Sequence, residues 1–130
     1  MQTGLLGITV DISTPHALTN SFEDQKAVER AFQFYIGWFM HPIYGKNGNY
    51  PQIMIERIGQ LSLAQGFSKS RLPSFTKDEI KMIRNTSDFF GINSYTSVLV
   101  TSNDDVKNPG RHRVPSFQHD MGTIETQDEK

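Results

Sequence analysis

The sequence predicts an α/β chain whose helices cross over between parallel strands, and three observations carry that prediction. Residues 5–10 and 89–92 form two short apolar runs, and the second shows no hydrophobic alternation, as in a strand buried on both faces. Between them, apolar residues recur at three- and four-residue spacing, the pattern of helices with one face on a core. Strands joined through helices pair in parallel, because parallel neighbours need a long crossover.

Each element has a local justification. Ile8, Thr9 and Val10 give the first strand a β-branched end, and "DISTPHALTNS", with Pro15 and Asn20, supplies turn residues. Ser21, three residues before Asp24, resembles an N-cap with an acidic first turn. The helix it opens runs from Phe22 to about Met40, with Ala27, Ala31, Phe34, Tyr35 and Trp38 on its packing face. His41-Pro42 closes it, since the residue before proline is pushed out of the helical region. "GKNGNYP" is a loop, and Pro51 suits the first turn of a second helix with Ile53, Met54, Ile58 and Leu61 inward. Gly66 punctuates its end. After the extended connector "RLPSF", Thr76 and Glu79 match a capping box. The third helix carries Ile80 and Ile83 and ends near Asn85. The second strand, 89–92, continues through "YTSVLVT" as extended chain. Over 102–130, turn and charged residues replace periodic apolar positions, which predicts an irregular loop segment.

Composition narrows the function classes. With 130 residues the chain supports one domain with a modest core. A net charge of −1, from 13 basic and 14 acidic residues, gives no electrostatic case for nucleic acid or an anionic membrane. The absence of cysteine removes disulfides, thiolate zinc sites and cysteine nucleophiles. No apolar run approaches the roughly 18 residues a membrane span needs, and "MQTGLLGITV" lacks the basic and apolar regions of a signal peptide. The histidines at 16, 41, 112 and 119 show no metal-ligand spacing, so no metal is expected. His41 reads as a helix-end residue and His112 as part of a solvated basic turn. There is no dinucleotide fingerprint, Walker sequence or G-x-S-x-G elbow. The stripe Phe34, Tyr35, Trp38 and Phe39 reads as core before it reads as a sugar platform. The carboxylate neighbours Glu23-Asp24 and Asp104-Asp105 are expected on solvated surface and at helix starts. One Asn-x-Ser sequon, Asn85-Thr86-Ser87, is short enough to arise by chance.

The stretch "DFFGINSYTS" carries the sharpest functional signal. A polar triplet, Asn93, Ser94 and Tyr95, follows the apolar run, and α/β barrels and open α/β sheets place binding groups at such strand ends. A strand simply running out into a solvated loop is the competing reading.

Several stretches, taken in order, resemble the glycoside hydrolase family 1 β-glucosidases, especially insect β-glucosidase and myrosinase-like members. They are "GITVD", "FEDQKAVERAFQFYIGWFMHPIYG", "GNYPQIM", "LPSFTKDEIKMIRNTSDFFGINSYTS" and "PSFQHDMGT", which together cover nearly the whole chain. The resemblance implies a partial (β/α)8 TIM barrel, about strands 5–6 with their helices and a long following loop. "GITVD" is then the fifth strand, "FFGIN" the sixth, and residues 1–130 a fragment of a single barrel domain. It implies substrate-binding roles for Asn93, in the polar wall of the sugar pocket, and Tyr95, bonded to the carboxylate nucleophile near the ring oxygen. The implied reaction is retaining hydrolysis of β-glucosides through a covalent glycosyl-enzyme, without a cofactor. That chemistry needs two carboxyl groups. The family carries them in an Asn-Glu-Pro motif and a Thr-Glu-Asn-Gly motif, and this sequence contains neither. "TIETQDE" has Thr126-Gln127 where Asn-Gly should follow, so Glu125 is not assigned to catalysis. No catalytic residue is therefore assigned, and the chain alone is expected to be inactive and poorly stable, with sheet edges left open.

Two departures concern loop geometry: "ISTPHALTNS" lacks the tryptophan and acidic-proline pattern common after the fifth strand, and Asn49 stands where the family usually has Asp. A barrel-derived protein that binds sugar or a partner chain without turnover is the alternative reading. A split enzyme, with the glutamates on other chains, is the third. Secretion is implied by the insect relatives only. The sequence specifies neither the aglycone, the sugar, nor an oligomeric state.

Overall fold

The computed structural model describes residues 3–103 and 114–127. Along the chain come β1 (Gly7–Ala17), α1 (Phe22–Phe32), a π-helical turn (Gln33–Gly37), α2 (Trp38–Tyr44), α3 (Gln52–Ala64), α4 (Lys77–Ile83), β2 (Phe89–Ser102), α5 (Phe117–Met121) and β3 (Thr123–Gln127). The strands form one sheet in the order β1-β2-β3. β1 and β2 run parallel, as the helical crossover requires, and β2 and β3 run antiparallel.

The helix starts follow their local chemistry. Ser21 accepts from the Asp24 amide, and Thr76 and Glu79 make both bonds of the capping box. Pro51 occupies the N-cap of α3, whose carbonyl takes the Met54 and Ile55 amides. Gly66, at φ +89°, ends α3 in the left-handed conformation that glycine adopts without a Cβ clash.

The core has two parts. Ala27 and half-buried Val28 of α1 pack on Val98 and Val100 of β2. Ala31, Phe34, Met54, Ile58, Leu72 and Met121 form the larger cluster, flanked by Tyr35, Trp38, Tyr50, Ile55 and Phe117. The aromatic stripe is thus divided: Phe34 is 1% exposed, Tyr35 and Trp38 border the core, and Phe39 is partly exposed.

Several sequence expectations are corrected. β1 does not stop at Val10 but runs to Ala17 through the supposed turn, Pro15 included. Among the described residues β1 pairs only with β2, and a strand paired on one side tolerates a missing N–H on the other. The helical segment does not close at His41-Pro42 but ends at Tyr44, with Pro42 buried inside the last turns. Proline there removes one backbone donor near a helix end, which is a bias against helix and not a stop.

β2 does not end at Ile92. It spans 14 residues, so Asn93, Ser94 and Tyr95 stand mid-strand, and Phe89 and Ile92 are about half exposed instead of buried on both faces. Of that apolar run, Phe90 packs edge-on against Tyr44. The segment 102–130 is not wholly irregular, since it holds α5 and β3. Each is five residues, too short for a periodic signal, and β3 ties the segment to β2 through Val98–Ser102. His112 and the Asp104-Asp105 pair lie outside the described residues.

Glu23 is exposed as expected, but Asp24 is only 5% exposed. Its carboxylate accepts from the Thr19 amide and hydroxyl, the Thr101 hydroxyl and the Ser102 amide, at 2.7–3.2 Å. It therefore staples the start of α1 to the far end of β2. These donors, led by the Thr19 hydroxyl, favour the charged form and hold its pKa near 2.

Candidate functional site

The parallel ladder pairs Asp11 with Asn93 and Ile12 with Ser94, then resumes at Thr14 and Ser97. One residue of β1, Ser13, thus stands against two of β2, Tyr95 and Thr96. A local mismatch of this kind bends a strand and re-aims its side chains. Two hydroxyl pairs bridge the irregularity, Thr14 with Ser94 at 2.7 Å and Ser13 with Thr96 at 3.2 Å.

Tyr95 emerges here with 82% of its surface exposed. It lines a shallow recess of about 460 Å³ with Asp11, Ile12, Ser13, Tyr35 and Thr96. Asn93 is also exposed on β2, two residues back, but does not line that recess. A neighbouring recess of about 450 Å³ shares Asp11 and Tyr35 and is walled by Phe34, Trp38, Phe39 and Phe117. Its aromatic wall is ordered: Phe117 stacks on Trp38 with centroids 6.0 Å apart and tilts against Tyr35 at 5.7 Å.

Tyr35 links the recess to β3. Its hydroxyl donates to Glu125 Oε1 at 2.6 Å. Burial, with the carboxylate as acceptor and neighbouring charge, raises the Tyr35 pKa well above the usual phenol range. The phenol therefore stays protonated across physiological pH. Glu125, set apart from catalysis on sequence grounds, is engaged here as a hydrogen-bond acceptor.

Sequence reasoning singled out Asn93 and Tyr95, treated Tyr35 only as part of the aromatic stripe and Glu125 only as a rejected catalytic carboxylate, and missed Asp11. Asp11 was detectable in principle, since it ends the apolar run of the strand that parallel pairing sets beside Asn93. Tyr35 and Glu125 are 90 residues apart, and no local signal joins them.

The two recesses offer phenols, a carboxylate and hydroxyls beside an aromatic wall. Such a surface suits a polyhydroxylated ligand. Among the described residues no group of three histidine or acidic side chains is placed to hold a metal ion.

Known proteins share this framework. The model of the family "Glycosyl hydrolase family 1" matches residues 1–128. Human lactase/phlorizin hydrolase is 49% identical over 100 residues, 75% of this chain and 5% of that protein. Myrosinase 1 of Brevicoryne brassicae is 42% identical over 109 residues, 84% of this chain and 22% of that protein. Among solved structures, aphid myrosinase superposes with a TM-score of 0.81 at 39% identity, over 98% of this chain and 26% of that one. A rice β-glucosidase mutant in a covalent complex with Glc superposes with a TM-score of 0.76 at 32% identity, over 94% and 23% respectively. The chain thus spans no more than about a quarter of these relatives. With the family model matching almost end to end and the α/β framework shared, the chain belongs to glycosyl hydrolase family 1.

Proposed function

We propose that this chain forms the region around the fifth and sixth strands of a family 1 (β/α)8 barrel and supplies Tyr95 and Asn93 to the sugar pocket of a retaining β-glucosidase. The observation that carries the reading is Tyr95, an exposed phenol on a parallel strand at a register irregularity, within a polar recess backed by aromatics. The Tyr95 hydroxyl donates to the carboxylate nucleophile beside the sugar ring oxygen, and the Asn93 amide bonds sugar hydroxyls. The acid/base and the nucleophile both come from polypeptide outside these 130 residues, whose sequence holds neither glutamate motif. Retaining hydrolysis proceeds with those two carboxyl groups about 5 Å apart and water, so no cofactor takes part.

The size of the native polypeptide carrying these residues is the first test. A band several times larger than 14.8 kDa supports the reading, and its activity on an aryl β-glucoside is then measured with Tyr95→Phe. A hydrogen bond to a charged group contributes about 1.5–3 kcal/mol, so kcat/KM should fall about 10- to 150-fold. Undiminished kcat/KM refutes the role of Tyr95. Turnover by the isolated 130-residue chain refutes the assignment of both carboxyls to other polypeptide. A native band near 14.8 kDa without turnover favours the second reading, sugar or partner binding. The observation on its side is a recess lined by a single carboxylate, Asp11.

A further inference from the structure

The sequon Asn85-Thr86-Ser87 is short enough to arise by chance, but the fold places it in an exposed turn. α4 ends at Ile83, Arg84 is extended, and Asn85 turns the chain with a φ of +60°. Asparagine is one of the few residues with a Cβ that visits this left-handed region routinely. Asn85 and Thr86 are both exposed. The Asn85 backbone amide is anchored to the Ile43 carbonyl at 2.7 Å, while its side-chain amide takes no hydrogen bond among the described residues. The turn therefore presents a free carboxamide on an anchored backbone.

Its placement is compatible with the proposed site. The turn feeds β2 at Phe89, and six residues of strand separate Phe89 from Tyr95, roughly 20 Å at strand rise. Met82, on the last turn of α4 just before the sequon, is 68% exposed, so a sugar here would shield apolar surface.

We propose that Asn85 is an N-glycosylation site, a modification independent of the proposed β-glucosidase reading. The co-reactant is a lipid pyrophosphate-linked oligosaccharide. Asn85 Nδ2 forms the bond to the anomeric carbon, the carbon–oxygen bond to the pyrophosphate breaks with its electron pair, and the amide proton passes to solvent. In the folded chain the Ser87 hydroxyl is engaged, receiving from Tyr44 at 2.6 Å and directed at the Phe89 carbonyl at 2.9 Å. Transfer therefore precedes closure of this turn, and the finished glycan stands on the exposed side of it.

The test uses the native polypeptide. It is treated with peptide-N-glycosidase in heavy-oxygen water before digestion, because cleavage after Arg84 would leave Asn85 at a peptide terminus. The expected result is a downward mobility shift and a peptide in which Asn85 has become isotope-labelled Asp. Recovery of that peptide with unmodified Asn85, at full yield and without enzyme treatment, overturns the proposal. Expression through a secretory route adds a second readout: Asn85→Gln and Ser87→Ala should each collapse the slower band to the unmodified mobility. Persistence of that band in both variants equally overturns it.

Discussion

Arg71→Met tests how the segment beside the recess is held. Arg71 grips Asp120 in a two-pronged ion pair, Nη1 to Oδ2 at 2.9 Å and Nη2 to Oδ1 at 2.6 Å. The side chains are 19% and 9% exposed. Removing one partner of a fully buried pair costs about 3–5 kcal/mol, because the other charge is left stranded. Water reaches part of the guanidinium, which lowers the expected cost to about 2 kcal/mol. The Asp120 carbonyl also keeps its bond from Arg57 Nε, and Arg30 still holds the Met121 and Gly122 carbonyls, so the loss should loosen α5 without unfolding the chain. Amide hydrogen exchange reads that local opening. The amides of Asp120, Gly122 and Asn103, bonded to Ser116, Gln118 and Gly122 carbonyls, should exchange about 30-fold faster, the factor equivalent to about 2 kcal/mol. The Gln65 and Arg84 amides, at other helix ends, should not change. Trp38 is the only tryptophan and stacks on Phe117, so its emission should shift to the red as α5 loosens. Exchange at Asp120 and Gly122 within threefold of the parent chain would refute the argument and assign the clamp to Arg30 and Arg57 alone.

Three other outcomes follow from the same structure. Folding depresses the Asp24 pKa from 3.8 to about 2, so its ionised form stabilises the fold. That contribution is complete above about pH 4 and is lost as pH falls from 3.8 towards 2. A carboxyl NMR titration should show the depressed midpoint, and Asp24→Asn should lose this part of the acid sensitivity. Phe34→Ala deletes a ring that is 1% exposed, at a cost of about 3–5 kcal/mol, and should erase the near-ultraviolet dichroism of the aromatic cluster. An unchanged spectrum would remove Phe34 from the core. Thr76→Ala breaks the capping box of α4 at a cost of about 1 kcal/mol, and the Ile80 and Arg84 amides should exchange several-fold faster while the β-sheet amides stay unchanged.

The elements legible in the sequence are those whose cause is local. Ser21, Pro51, Gly66, Thr76 and Glu79 act on backbone groups within four residues, and each stands at the helix end expected of it. Strand length was misread because it is set by a partner far along the chain. The stretch after Val10 has turn residues, yet it pairs with β2, 83 residues away, through Thr14–Ser97 and Pro15–Val98. The same distance hid Asp24: its first-turn position is local, but the donors that bury it include Thr101 and Ser102, 77 and 78 residues on. Of the candidate site, Tyr95 and Asn93 came from a family resemblance, while Tyr35 with Glu125 required the fold.

The polar triplet stands mid-strand, not at a strand end, yet its residue types still mark an irregular place in the sheet. Asparagine and serine are poor choices for a paired strand, since they give little packing and bond readily to their own backbone. In β2 they coincide with the mismatch of one residue against two, where a regular ladder is lost anyway. Ser94 and Thr96 answer that loss by bonding Thr14 and Ser13 across the gap. Tyr95 does not share in this repair. Its hydroxyl has no hydrogen-bond partner among the described residues, and its ring lies largely in solvent. Among the described residues neither sheet pairing nor core packing accounts for a large aromatic placed that way. Local rules are broken where function requires it, so an uncompensated Tyr95 between two compensated neighbours supports a ligand contact. Tyr95→Ser separates the two cases: a structural tyrosine would disturb the Ser94 and Thr96 amides, whereas a binding tyrosine leaves their exchange unchanged.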